Sequence, residues 1–202
     1  MIDWSVNNMV LKVMIKKEIA IIEASIRLFA RDGVSVPTSR IAKEASVSNG
    51  TLFNVFENKK NLFDSTYLYI KEKMAHDIMG GVDFNRDLQT VLLNIWASYI
   101  SWATQHPLEN KVVNLLQTSQ VLSEYAHEST EHLFADIHAA LQKGIADKAI
   151  TDLPLQYICE IAAAHLGATI SYAQSRDLVG SELNDLVQAS FDLYWTGLVK
   201  IK

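Results

Sequence analysis

Residues 38–63 constrain the fold more than any other stretch, because two short apolar-faced segments meet there at Ser46-Val47-Ser48. Ile41, Ala42 and Ala45 share one face of the first at helical spacing, and Leu52, Val55 and Phe56 share one face of the second. Val47 is placed to plug the angle between them, and Ser48 to cap the second helix through a free backbone N–H. The layout is that of a helix-turn-helix. An ordinary helical hairpin with a solvated face would share the periodicity.

The outward face of the second segment carries Asn49, Gly50, Thr51 and Asn54, short groups suited to base edges in a major groove. Asn58-Lys59-Lys60 then opens a further helix, where free N–H groups and two ammonium groups favour a phosphate.

Ile41-Ala42-x-x-Ala45-x-Val47-Ser48-x-Gly50-Thr51-Leu52-Phe53-x-x-Phe56-x-Asn58-Lys59-x-x-Leu62 resembles the DNA-binding signature of the TetR family of transcriptional repressors. The likeness extends over roughly residues 16–66. It implies a three-helix DNA-binding domain, a helical C-terminal domain that dimerises and holds an inducer, and release of DNA on ligand binding. Carried onto this chain, the DNA-contacting set is Thr38, Ser39, Arg40, Ser48, Asn49, Gly50, Thr51, Phe53, Asn54, Lys59 and Lys60. The chain departs from the pattern at Phe53, where Tyr is common, and at Val55, where Tyr or His is. Neither side chain can hydrogen-bond, so phosphate contacts are expected to be fewer, or relocated to Lys59, Lys60, Thr38 and Arg40.

The fold class read from the whole chain is all-α. Three prolines, eight scattered glycines and no alternating Val/Ile/Thr run argue against a sheet. The expected division is an N-terminal extension over 1–14, the helix-turn-helix domain over 15–63 and a helical ligand-binding and dimerisation domain over 64–202. Met1 to Val13 reads as an alternative translation start or as a real arm. Ile15, Ile19, Ile22, Ile26 and Phe29 mark one face of the first helix, which Gly33 stops; Pro37 precedes the next, with Thr38 as its expected cap. A long helix from Lys59 to about Met79, ended by Gly80-Gly81, is a natural lever. Further helices are expected near 84–105, 108–122, 123–149, 155–176 and 181–200.

Charge is unevenly spread. Residues 10–73 hold 11 Lys or Arg against 7 Asp or Glu, and the remainder 7 against 16, so the segments carry +4 and −9. An electropositive head on an acidic body fits a duplex-binding module, since phosphate neutralisation dominates affinity. The lone Cys159 excludes an internal disulfide framework, no signal peptide is recognisable and the most apolar stretch is broken by His165, so a cytoplasmic protein without a membrane span is expected.

Aromatic residues suggest an inducer pocket. Trp96, Tyr99 and Trp102, with Tyr125 and Phe134, are candidate apolar walls, and Asn114, Gln117 and His165 candidate polar contacts; each also fits simple core packing. Ile158, Ala162, Leu166 and Thr169 on one late helix, and Leu183, Val187, Phe191, Tyr194 and Trp195 on the next, are the candidate dimer interface. Two such pairs would form a four-helix bundle burying about 1,500–2,500 Å². The same face could instead complete the subunit core.

Metal, cofactor and catalysis are not expected. His127 and His132 are five residues apart, which turns the second roughly 140° from the first and spoils a zinc helix. No phosphate loop, dinucleotide fingerprint or nucleophile elbow is present. The rival to a regulator that binds operator DNA and a small-molecule inducer is a helical small-molecule or metal-binding protein that has lost DNA binding.

Overall fold

The structure is a computed structural model that describes residues 4–199, with side chains described from Ile15 onward. The side chains of Met1 to Val13, read as an alternative translation start or a real arm, therefore lie outside the described residues. All regular elements among the described residues are helical: α1 (Trp4–Asp32), α2 (Thr38–Glu44), α3 (Asn49–Val55), α4 (Lys59–Met79), α5 (Leu88–Gln105), α6 (Pro107–Thr118), α7 (Glu124–Glu131), α8 (Ala135–Ala146), α9 (Leu155–Ser175) and α10 (Gly180–Leu198), with a 3₁₀ turn at His132–Phe134. The helix expected to start near 15 thus continues from Trp4.

The chain divides into two compact units. One runs through Glu72 and takes in Leu108–Thr130; the other comprises Lys73–Pro107 and the chain from Glu131. In the first, α1, α2 and α3 close over Ile22, Phe29, Ile41, Leu52, Phe56 and Leu62, all buried. Phe29 and Phe63 pack at 5.3 Å between ring centroids. Gly33 ends α1 with φ +82, the left-handed conformation that glycine adopts without Cβ strain, and its N–H bonds the Phe29 carbonyl. Beyond the head, the same unit buries Tyr67, Ile70, Val112, Val113, Leu116 and Ala126 on α4, α6 and α7.

The second unit is built on α5, α8, α9 and α10. Trp96 is its hub. The indole stacks on Tyr194 at 4.9 Å, meets His165 and Phe191 edge-on, and donates from Nε1 to Ser190 Oγ at 2.9 Å. α8 approaches α5 closely at Gly144, where a Cβ would lie 2.5 Å from a Leu88 methyl.

Three local expectations are corrected. Thr38 does not cap α2: it is the first helical residue, Pro37 holds the cap position, and no side chain bonds the free N–H groups. The 123–149 segment is not one helix. Thr130 turns its hydroxyl back onto the His127 carbonyl at 2.9 Å, the kind of bond that bends a helix, and Phe134 leaves helical geometry at φ −120, ψ 16. α5 begins at Leu88 rather than 84 because Asp87 caps it, Oδ1 accepting from Thr90 N at 3.0 Å.

Candidate nucleic-acid interface

The head places the recognition segment through one short turn. Ser46 takes φ +56, reversing the chain after α2, and Val47 is half-buried with its N–H on the Ala42 carbonyl. Ser48 then caps α3: Oγ accepts from Thr51 N at 3.0 Å and lies 2.9 Å from Thr51 Oγ1. Leu52 and Phe56 face the core at 0% and 3% exposure. By helical geometry Gly50 and Asn54 lie on the opposite side, and they are exposed together with Asn49 at the first turn and Phe53 beside it.

The remaining residues expected at DNA fall around this face in different states. Ser39, Arg40 and Lys60 are exposed, and Thr38 and Thr51 are half-buried. Arg40 pairs with Asp32 at 3.0 Å, and Asp32 also holds Arg31 at 3.1 Å. Such exposed pairs are weak and exchangeable. Lys59 differs. Its Nζ donates to the Val34 carbonyl at 2.7 Å and lies 5.4 Å from the Phe63 ring centre, and burial pulls its pKa below the ordinary lysine value. Of the two lysines at the start of α4, Lys60 is the more exposed, while Lys59 serves the fold.

Residues 21–66 match the family model for bacterial regulatory proteins of the tetR family. The helix-turn-helix head is that of the tetR family. Similarity extends beyond it: the nucleoid occlusion factor SlmA of Vibrio cholerae is 22% identical over 170 residues, covering 83% of this chain and 86% of that protein. A solved structure from Shewanella sp. PV-4, assigned to the tetR-family transcription regulators, superposes with a TM-score of 0.83 at 24% identity, covering 92% of this chain and 99% of that one. The transcriptional regulator FadR of Bacillus subtilis, solved with stearoyl-CoA, gives 0.66 at 19%, covering 89% and 98%. At these identities the solved structures establish a shared tetR-type fold.

The residues considered for an inducer pocket are divided between the two units. Asn114, Gln117 and Tyr125 belong to the first unit, where Asn114 and Tyr125 are exposed and Gln117 Nε2 donates to the Tyr67 hydroxyl at 3.0 Å. Trp96, Tyr99, Trp102, Phe134 and His165 belong to the second. There Trp96 is consumed by core packing with His165 at its edge, Tyr99 and Trp102 lie 6.3 Å apart, and Phe134 sits half-buried at the 3₁₀ turn. A cavity of about 470 Å³ does open in that unit between α5, α10 and the end of α4. Only Trp102 of the expected set lines it; Asp77, Ser98, Ser101, Gln105, His106 and Asn184 supply most of its polar wall. Sequence periodicity missed these residues because short polar groups on an exposed helix face look like ordinary surface.

The candidate dimer face divides as well. Ile158, Thr169, Phe191 and Tyr194 are buried inside the subunit, at 1%, 5%, 0% and 8% exposure, so they cannot offer an outer surface. Ala162, Leu166, Leu183, Val187 and Trp195 are half-buried. The outer faces of α9 and α10 carry instead Tyr157, Ile161, Tyr172 and Leu193, all large apolar side chains left exposed. Ala164, Gly167 and Ala168 between them are small and exposed. No helix among the described residues is long and apolar enough to cross a membrane, and no metal-ligating cluster occurs among them.

Proposed function

We propose that this chain is a homodimeric transcriptional regulator that binds a palindromic operator and is released from it, as a repressor, by a small-molecule inducer. The observation that carries the reading is the two-sidedness of α3. Its inner face is locked by Leu52, Phe56 and the Ser48 cap, while Asn49, Gly50, Phe53 and Asn54 face outward. A rigid short helix with such a face suits the major groove. The positive balance of residues 10–73 favours phosphate in the same region.

Dimerisation through the exposed apolar faces of α9 and α10 would set two recognition helices about 34–36 Å apart. The cavity of the second unit is the inducer site in this reading, with Asp77, Ser98, Ser101 and Asn184 orienting a polar ligand on Trp102. FadR of Bacillus subtilis was solved with stearoyl-CoA, which makes acyl-CoA esters one class to screen; the polar wall here favours smaller, more hydrophilic compounds. α4 belongs in part to each unit and would carry the response. A ligand acts only by its preference for one dimer geometry.

The test is binding of the purified protein to the DNA upstream of its own gene, at two salt concentrations, against excess random duplex. Saturable binding that survives the competitor supports the regulator. A folded protein that binds no duplex even at low salt would favour the alternative, a helical ligand-binding protein without DNA activity.

A further inference from the structure

We propose that Phe53 is a sequence-reading residue: its ring packs on the 5-methyl group of a thymine, so one position of each half-site is selected by a methyl contact instead of a hydrogen bond. The inference rests on the DNA-binding reading above. It starts from an oddity of α3, whose outward face is otherwise short and polar yet holds a phenyl ring 43% exposed. Phe53 lies one turn beyond Asn49, so the two side chains are neighbours along that face. The ring has no aromatic partner among the described residues. At 43% exposure a large part of the ring remains open to solvent.

A phenyl group can neither donate nor accept a hydrogen bond, so it cannot serve a phosphate or a polar base edge. Placed over either it would strip water from a polar group and give nothing back, which is unfavourable. In the major groove only one base presents an apolar group, the thymine methyl. The ring flanked by Asn49 and Asn54 is therefore best satisfied over a thymine, with the amides bonding adjacent base edges.

The probe is a duplex enriched from a random-sequence library by the full-length protein, with each thymine replaced in turn by deoxyuridine, which removes the methyl group alone. The expected result is one symmetry-related thymine per half-site at which wild type loses roughly fourfold in affinity, the worth of one buried methyl-sized group. Phe53→Ala should bind more weakly and be indifferent to that replacement, while Asn49→Ala keeps the sensitivity. A wild-type scan with no sensitive thymine, or a Phe53→Ala protein that retains the sensitivity, overturns the proposal while leaving operator binding intact. Failure of the library to enrich any sequence overturns the DNA-binding reading and this proposal with it. The wild-type scan needs no variant, so a folding defect in Phe53→Ala cannot obscure the outcome.

Discussion

The ammonium of Lys59 donates to the backbone carbonyl of Val34 at 2.7 Å, tying the first turn of α4 to the loop that leaves α1. A lysine in that position reads from sequence as a phosphate contact, but here its bond holds the head together. Lys59→Ala should lower head stability by about 1 kcal/mol, the net worth of such a bond, and reduce DNA affinity partly through that loss. Lys60→Ala should leave the melting temperature unchanged and reduce the slope of log K against log salt by about one. Melting curves and salt titrations of the two variants separate the roles. Equal melting temperatures for both would contradict the clamp.

Ser48 combines a structural and a placement role, because Oγ accepts the Thr51 N–H at the start of the recognition helix. Ser48→Ala should cost about 1 kcal/mol. Ser48→Asp should restore the cap and the stability, since a carboxylate is favourable at a helix N-terminus, yet abolish DNA binding by repulsion from phosphate. A Ser48→Asp protein that binds duplex as tightly as wild type would remove α3 from the interface.

The head was legible in the sequence because its turn, its cap and the inward Leu52 and Phe56 obey local rules that leave few alternatives. Helix ends that depend on distributed competition were harder to read. Nothing at Thr130 announces that its hydroxyl turns back on the His127 carbonyl, or that Phe134 then departs from the helix. On α9 and α10 periodicity finds an apolar stripe without telling which edge faces the subunit core. Ile158 and Phe191 went inward; Ile161 and Leu193 stayed outside. Likewise at Trp96 the spacing does not tell a pocket wall from a core residue; its indole stacks on Tyr194 and donates to Ser190.

Lys71 should make stability depend on pH in the alkaline range. Burial lowers its pKa from about 10.5 to about 8, and its ammonium lies 6.0 Å from the Tyr67 ring centre. Between those two values the unfolded chain holds the extra proton, so this group makes stability rise with pH from 8 to 10.5, and its penalty is fully present below 8. Lys71→Met should therefore stabilise the protein at pH 7, by on the order of 2 kcal/mol. The advantage over wild type should shrink to nothing near pH 10.5. Denaturant melts of both proteins across that range give the answer; a pH-independent difference would mean that packing, not charge, separates them.

Leu193 is 72% exposed on α10, on the face proposed above for dimerisation. Leu193→Asp should convert the dimer to a monomer in light scattering while leaving the helical content and the subunit core intact. DNA affinity should fall with it, because two half-sites are no longer bound at once. An unchanged dimer mass would move the interface elsewhere.

Ser190→Ala should cost 1–3 kcal/mol, roughly the penalty of leaving the buried Trp96 Nε1–H unpaired. Chemical denaturation measures it, and a loss below a few tenths would mean that the indole finds another acceptor.

The most direct test of the whole account is a hydroxyl-radical footprint of the purified protein on the DNA upstream of its gene, with random duplex in excess. The account predicts two protected half-sites related by a two-fold axis, their centres one helical turn apart, about 34–36 Å, on one face of the duplex. Uniform weak protection that disappears with competitor, or none at all from a folded protein, would contradict it.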